Sequence, residues 1–321
     1  MKFKNIFCIF SVFILVSTIG LTVIENNQSD ADLSDYVFSN GLTYKITDYN
    51  SNSVELIKGL YPMSSTNYSG SIAVPATFTS DGTMYTVVKI GDSAFWSCTN
   101  LTSVTLPNTI TRLGNLSFGS SSITSISIPS SVKIIDNFAF SGSSLTSISI
   151  PNSVVTIGTQ AFSDCNSLNS VVIGNGVSEI TTSCFADCAS LQTVSIGSNV
   201  KTIADGAFME CQKLSKVLFG SSLTSIGKLA FNHCAMKSID LGDNIKSIAD
   251  YAFANCSNLS TVIMPSGVSL GASVFFDTPY QNALNTQHED MHIEIIILII
   301  LVLLILIIAY MILKHRKKSL V

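Results

Sequence analysis

The stretch H-E-D-M-H, His288 to His292, has the spacing of a zinc-protease site. On a helix the two histidines would share one face and hold zinc, with Glu289 as general base. A catalytic zinc also needs a third protein ligand and a folded cleft. After Glu294 the chain offers only an apolar run and a basic end, so the match reads as coincidence in a polar stalk. Cysteine is the second group with chemical potential. Cys98, Cys165, Cys188, Cys211, Cys234 and Cys256 each stand three residues after a phenylalanine. Zinc ligands must converge on one point, whereas these are strung along a column. Stacked strands hold equivalent Cβ atoms about 4.8 Å apart, beyond the roughly 3.8 Å of a disulfide. Loss of a leader carrying Cys8 would leave seven, an odd number. The column therefore reads as a structural ladder of small buried groups with a weak donor. Cys184 and Cys188 are the one pair placed to bridge locally. No nucleotide-binding loop or further catalytic constellation appears. The reading is a non-enzymatic chain with no cofactor.

The elements that carry these residues repeat. Phenylalanine recurs at 95, 118, 140, 162, 185, 208, 231, 253 and 275, in steps of 22 or 23. Ala usually precedes it, and Leu or a relative follows five or six residues later. Strand-like stretches come next, such as "LTSVTL", "LTSISI" and "LQTVSI", each ended by Pro or Gly. A period of 20 to 29 residues containing L-x-x-L-x-L is a leucine-rich-repeat pattern. One unit cannot bury its apolar side alone, so the units must stack into a continuous core. The expected fold is an α/β-type solenoid, mostly β. It is a right-handed horseshoe of 22–23-residue units with parallel strands on the concave face, plus one C-terminal transmembrane helix.

The ends differ from the middle. Residues 1–20 begin with Lys2 and Lys4, continue as an apolar run, and read as a signal peptide. Residues 25–90 hold a β-hairpin cap, "GLTYKITDYNSNSVELIKG", and a first atypical repeat. The regular repeats run from 91 to 276, and residues 277–292 form an extracellular stalk. Residues 293–313, "IEIIILIILVLLILIIAYMIL", are long and apolar enough for a membrane span. The basic residues 314–321 then mark a cytoplasmic tail. The chain is 47% hydrophobic and only 12% charged, the latter about half the usual share. Residues 25–292 hold 11 Lys or Arg and 20 Asp or Glu, nine more acids than bases. That balance argues against nucleic acid or anionic lipid as partner. Asn27, Asn67, Asn100, Asn115, Asn255 and Asn258 each begin an N-x-S/T triplet and are candidate glycosylation sites.

The working surface is expected on the strands, where the x residues of L-x-x-L-x-L point outward. In the early units these are Ser and Thr. Later they include Val172, Gln192, Thr193, Ser195, Lys216, Leu218, Lys237, Asp240 and Ile263. Apolar and charged residues among small polar ones suggest a binding patch.

The unit "LTSISIPNSVVTIGTQAFSDCNS" and the entry "GLTYKI…YTVVKIGDSAF" resemble the BspA-type leucine-rich repeat over roughly residues 36–276. Units at Phe118 and Phe140 depart from the pattern, with Ser121 and Ser143 in place of Cys. The arrangement of leader, repeats, one span and basic tail resembles membrane-anchored surface proteins of protists in that family. The resemblance implies a plasma-membrane glycoprotein and surface antigen. It implies adhesion to, or recognition of, host cells, matrix proteins or other microbes. The alternative is a ligand-sensing receptor subunit that signals through a membrane partner.

Overall fold

The computed structural model describes the backbone of residues 33–58 and 68–318. Side chains are described at 34–58, 68–285 and 293–305. The expected leader at 1–20, Asn27, Asn67 and the last three tail residues lie outside the described residues. The chain divides into two compact units, Met1–Asp35 and Tyr36–Val321. Of the first, only a 3-10 turn at Leu33–Asp35 is described.

The second unit opens with strands β1 (Tyr36–Ser39), β2 (Leu42–Asp48) and β3 (Ser53–Ile57), joined antiparallel. Asn40 and Gly41 both take positive φ between β1 and β2, as a tight hairpin turn requires. Strands β4 (Gly70–Ala73), β5 (Thr77–Ser80) and β6 (Thr83–Ile90) follow. From there short strands alternate between two sides of each turn. They are β7 (Leu101–Thr105), β8 (Arg112–Leu113), β9 (Ile134–Ile135), β10 (Ser147–Ile150), β11 (Thr156–Ile157), β12 (Ser170–Ile173) and β13 (Glu179–Ile180). They continue as β14 (Thr193–Ser195), β15 (Thr202–Ile203), β16 (Lys216–Leu218), β17 (Ser225–Ile226), β18 (Ser238–Asp240), β19 (Ser247–Ile248), β20 (Thr261–Ile263) and β21 (Ser269–Leu270). Every pairing between successive turns is parallel, as between β10 and β12 or β17 and β19. The result is a mostly-β solenoid of about eight stacked turns with the leucine-rich-repeat fold.

The third side of each turn carries no helix among the described residues, which corrects the α/β-type expectation. The residues two before and two after each spine phenylalanine have positive φ, for example Ser183 at 51° and Asp187 at 60° around Phe185. Left-handed residues break a right-handed helix. Backbone donors here alternate instead between their own turn and the next. Phe185 N–H reaches Ala207 O at 2.8 Å, Asp187 N–H reaches Met209 O at 2.8 Å, and the intervening Ala186 N–H returns to Ser183 O at 3.2 Å. The corner is thus a third hydrogen-bonded column.

Inside, nine phenylalanine rings form one stack. From Phe118 to Phe253 the ring centroids are 5.0–5.3 Å apart with planes within 9°. Phe95 and Phe275 extend it at the two ends. Tyr68 closes the first end, tilted 57° against Phe95, and Tyr280 closes the other, 74° from Phe275. Offset or tilted rings satisfy the aromatic quadrupole while burying large apolar area.

Helix α1 (Pro279–Lys318) follows the last turn, so residues 279–292 are helical. Thr278 caps it: its hydroxyl accepts the Gln281 N–H at 3.1 Å and donates to Phe275 O at 2.6 Å. Pro279 at the first helical position loses no bond. In α1, Ile293 and Ile295 to Ile305 are each 47–65% exposed, on all sides of the helix. Among the described residues no helix is long and apolar enough to cross a membrane. The described side chains of α1 stop at Ile305, inside the apolar run.

Candidate functional site

On the strand side, register places outward residues in rows. Ser149, Val172, Ser195 and Leu218 stand side by side across β10, β12, β14 and β16. Ser147, Ser170, Thr193 and Lys216 form the parallel row. Their neighbours Ile148, Val171 and Val194 point inward and are buried. Gln192 precedes β14 and its carbonyl takes the N–H of Ser215 and of Lys216, both at 3.1 Å. Val172 and Leu218 are about half exposed, at 49% and 54%.

The rows stop after β16. The next strand, β18, pairs with β20 but not with β16. Asp240 and Ile263 stand opposite each other across β18 and β20. Lys237 precedes β18 and is exposed. A column of glycines records the same break. A Cβ added to Gly197 would collide with Gly174 O, and one on Gly220 would collide with Gly197 O. The next member, Gly242, has nothing within 4 Å of that position.

The cause is a change of spacing. Leu214 lies six residues after Phe208, but Met236 lies five after Phe231. Both anchors are buried, Leu214 at 0% and Met236 at 1% exposure. The shortened outer corner therefore shifts the following strand rather than the anchors. Between β16 and β18 opens a recess of about 480 Å³ lined by Ser215 to Ser221 and by Ser238, Asp240, Leu241 and Gly242. Phe219 floors one side, edge-on to Phe231 with centroids 5.7 Å apart.

Of the residues singled out in the sequence, Lys216, Leu218 and Asp240 come together at this recess. Asp240 is held by accepting the Gly242 N–H at 3.0 Å. Val172, Thr193 and Ser195 lie on the paired sheet before it, and Ile263 one strand beyond. Gln192 and Lys237 are outside its lining. Phe219, Ser221 and Leu241 were not foreseen. The signal that could have found them is the five-residue step from Phe231 to Met236, which recurs at Phe118 to Ile123 and Phe140 to Leu145.

The cysteines sit apart from this face, buried and free. The Cys184–Cys188 bridge allowed by spacing is not formed. Cys165, Cys188, Cys211, Cys234 and Cys256 each donate to the carbonyl of the phenylalanine one turn earlier, at 3.1–3.3 Å. At Ser143 the hydroxyl stands 3.4 Å from the thiol of Cys165, while Ser121 donates to Phe118 O at 2.7 Å. Cys98 is likewise buried. Among the described residues no cluster of His, Cys, Asp or Glu could hold a metal. The side chains of His288 to His292 lie outside those described. Of the sequons, Asn100 and Asn258 are exposed, while Asn115 and Asn255 are half-buried. Asn258 donates to Ala235 O at 3.4 Å.

A family model for the BspA-type leucine-rich repeat region matches in six copies, over residues 88–207 and 178–293. Similar solved structures include the following two. A leucine-rich repeat protein from Bacteroides ovatus ATCC 8483 is 25% identical with a TM-score of 0.60, covering 76% of this chain and 68% of its own. The T. pallidum Leucine Rich Repeat protein is 25% identical with a TM-score of 0.51, covering 71% of this chain and 89% of its own. No curated protein matches the chain.

Proposed function

The chain belongs to the BspA-type leucine-rich repeat family, and we propose that it is a plasma-membrane adhesion or recognition protein that binds host or microbial surface proteins, or matrix proteins, through its strand side. The repeat fold is an interaction scaffold: it exposes a regular strand surface and spends its interior on packing. One observation carries the choice of surface. On a strand side built mostly of Ser and Thr, Lys216, Leu218 and Asp240 are gathered around a recess. The apolar, exposed stretch of α1 from Ile295 to Ile305 supports membrane anchoring, because a helix stretch without a polar face is unstable in water. Exposed Asn100 and Asn258 are the sequons best placed to carry glycans.

The test displays the full chain, epitope-tagged, on cultured cells. Adhesion to host cells and to matrix-coated surfaces is compared with a variant in which Lys216, Leu218, Lys237 and Asp240 are all replaced by Ser. Saturable adhesion that the variant loses at equal surface expression supports the proposal. Equal adhesion by both removes the strand side from it.

A further inference from the structure

We propose that the opening between β16 and β18 is a slot for an extended, acidic segment of a partner protein, which enters as an added strand. This rests on the strand side being the binding surface and specifies the chemistry of what binds there.

The first argument is backbone valence. In a parallel ladder each residue turns both its N–H and its C=O to one neighbour, alternately left and right. Lys216 N–H goes to Gln192 O at 3.1 Å, and Leu218 O takes the Ile196 N–H at 2.9 Å. These two residues therefore face β14, which leaves Val217 facing the opening. On the other side, Lys237 O takes the Ser260 N–H and Leu241 N–H goes to Ile263 O, both at 3.0 Å. That alternation turns Ser238 and Asp240 to the opening. Two strand edges thus look at each other across it, with donors and acceptors unclaimed by either. Open edges of this kind are templates for strand addition.

The second argument is that the gap is built in. Gly242 stands clear where Gly197 and Gly220 abut their predecessors, so the separation reaches past the strands, and it is bounded by Ala235 N–H on Leu214 O at 2.9 Å before them and by Asn244 Nδ2 on Ser221 O at 2.8 Å after them. At the other interruption, where residues 123–128 form no strand between β7 and β10, the β10 side is bridged. Thr146 donates to Thr124 O through its N–H at 3.0 Å and its hydroxyl at 3.2 Å. That one carries only Ser and Thr on its outward positions.

The third argument is charge. Residues 101–200 contain two basic residues, Arg112 and Lys133, whereas residues 201–250 contain six lysines. Lys216 lines the opening, and exposed Lys213 and Lys237 precede its two strands. Asp240 on the facing edge offsets one of these three lysines, and a rim that stays net positive on an otherwise acidic protein selects acidic partners over basic ones. Side chains of an entering strand alternate. One set would turn inward to Val217 and Phe219 and favour small apolar groups. The other would turn outward to Lys216 and favour carboxylates.

The experiment follows hydrogen exchange on the full chain in lipid nanodiscs, with a short blocked peptide of alternating Glu and Val as probe. At saturation the amides of Val217, Ser238 and Asp240 should exchange at least about tenfold more slowly, as newly bonded amides do. The same peptide N-methylated at alternate amides, and its Lys-for-Glu counterpart, should give no protection. Paired Lys216→Glu and Lys237→Glu should weaken binding about tenfold, the combined effect of reversing two rim charges. Absence of protection, equal protection by the methylated peptide, or protection arising from self-association without peptide would each overturn the slot. If the four-Ser variant loses cell adhesion while the peptide gives no protection, the binding surface stands and the slot falls. Protection without any change in adhesion would retain the slot and reject the adhesion role.

Discussion

The thiol of Cys211 lies 3.1 Å from the carbonyl oxygen of Phe185, a residue of the preceding turn. Both residues are fully buried, so the bond satisfies an acceptor that water does not reach. Cys211→Ala should destabilise the protein by about 1–2 kcal/mol, the usual consequence of orphaning a buried acceptor. Cys211→Ser, which keeps a donor, should lose less. Equilibrium denaturant titrations rank the two, and equal losses would assign the effect to volume alone.

Burial also governs reactivity. It pushes the thiols of Cys184 and Cys256 up to about 12 and raises that of Cys234 well above the ordinary value, while at Cys165 the neighbouring Cys188 thiol raises it first and burial second. The thiolate is the nucleophile. Native protein at mildly alkaline pH should leave the repeat cysteines unlabelled by a neutral maleimide, with all of them labelled once denatured. Mass spectrometry after a short pulse decides, and rapid native labelling would show that the column opens.

The phenylalanine stack should be least forgiving at its middle. Phe185→Ala opens a void between rings on both sides, at 5.1 and 5.3 Å, and should cost about 3–5 kcal/mol. Thermal unfolding and soluble yield report it. A loss under about 1 kcal/mol would mean that adjacent turns collapse into the gap.

The glycine column makes a paired prediction. Gly197→Ala would drive a methyl into the backbone of Gly174, where nothing flexible can yield. Gly242→Ala meets open space and only the strain of φ at 70°, about 1 kcal/mol. The first should therefore destabilise clearly more than the second. The reverse order in denaturation midpoints would place the gap elsewhere.

Asp187 should give the protein a pH-dependent term. Its partial burial, then the carboxylates of Asp164 and Glu210 on adjacent turns, raise its proton affinity above that of ordinary aspartate. The folded state thus holds this proton more tightly than the unfolded chain. The penalty develops as pH rises from the ordinary aspartate range to the raised value and is complete above it. Asp187→Asn should raise the denaturation midpoint at neutral pH, with the gain disappearing in acid. A pH-independent difference would contradict this origin.

Much of this was written in the spacing of a few residues. The step from Phe162 to Phe185 to Phe208 already demands stacked units, and the alternation in "LQTVSI" already assigns inward and outward positions. Other features were hidden because backbone geometry, not residue type, creates them. Leu116, Phe138, Gln160 and Leu229 occupy left-handed positions that composition would reserve for glycine. Their strain is balanced by bonds to the next turn, which no single unit reveals. The two-residue ladder through Thr156–Ile157 is too short to show a period. β1 was missed, although Asn40-Gly41 before β2 is a hairpin-turn pair. The recess turns on a one-residue difference between Leu214 and Met236, visible in the sequence but meaningful only once strands are laid side by side.

The near-constant rise between rings, 5.0–5.3 Å from Phe118 to Phe253, makes the upper and lower surfaces of the middle turns interchangeable. A unit duplicated between Phe140 and Phe162 would find the same neighbours above and below, and neither Tyr68 nor Tyr280 would notice. Reach is therefore a discrete, adjustable quantity for this architecture: the protein can grow or shrink by whole coils, carrying its entry hairpin nearer to or farther from the recess without redesign of either end.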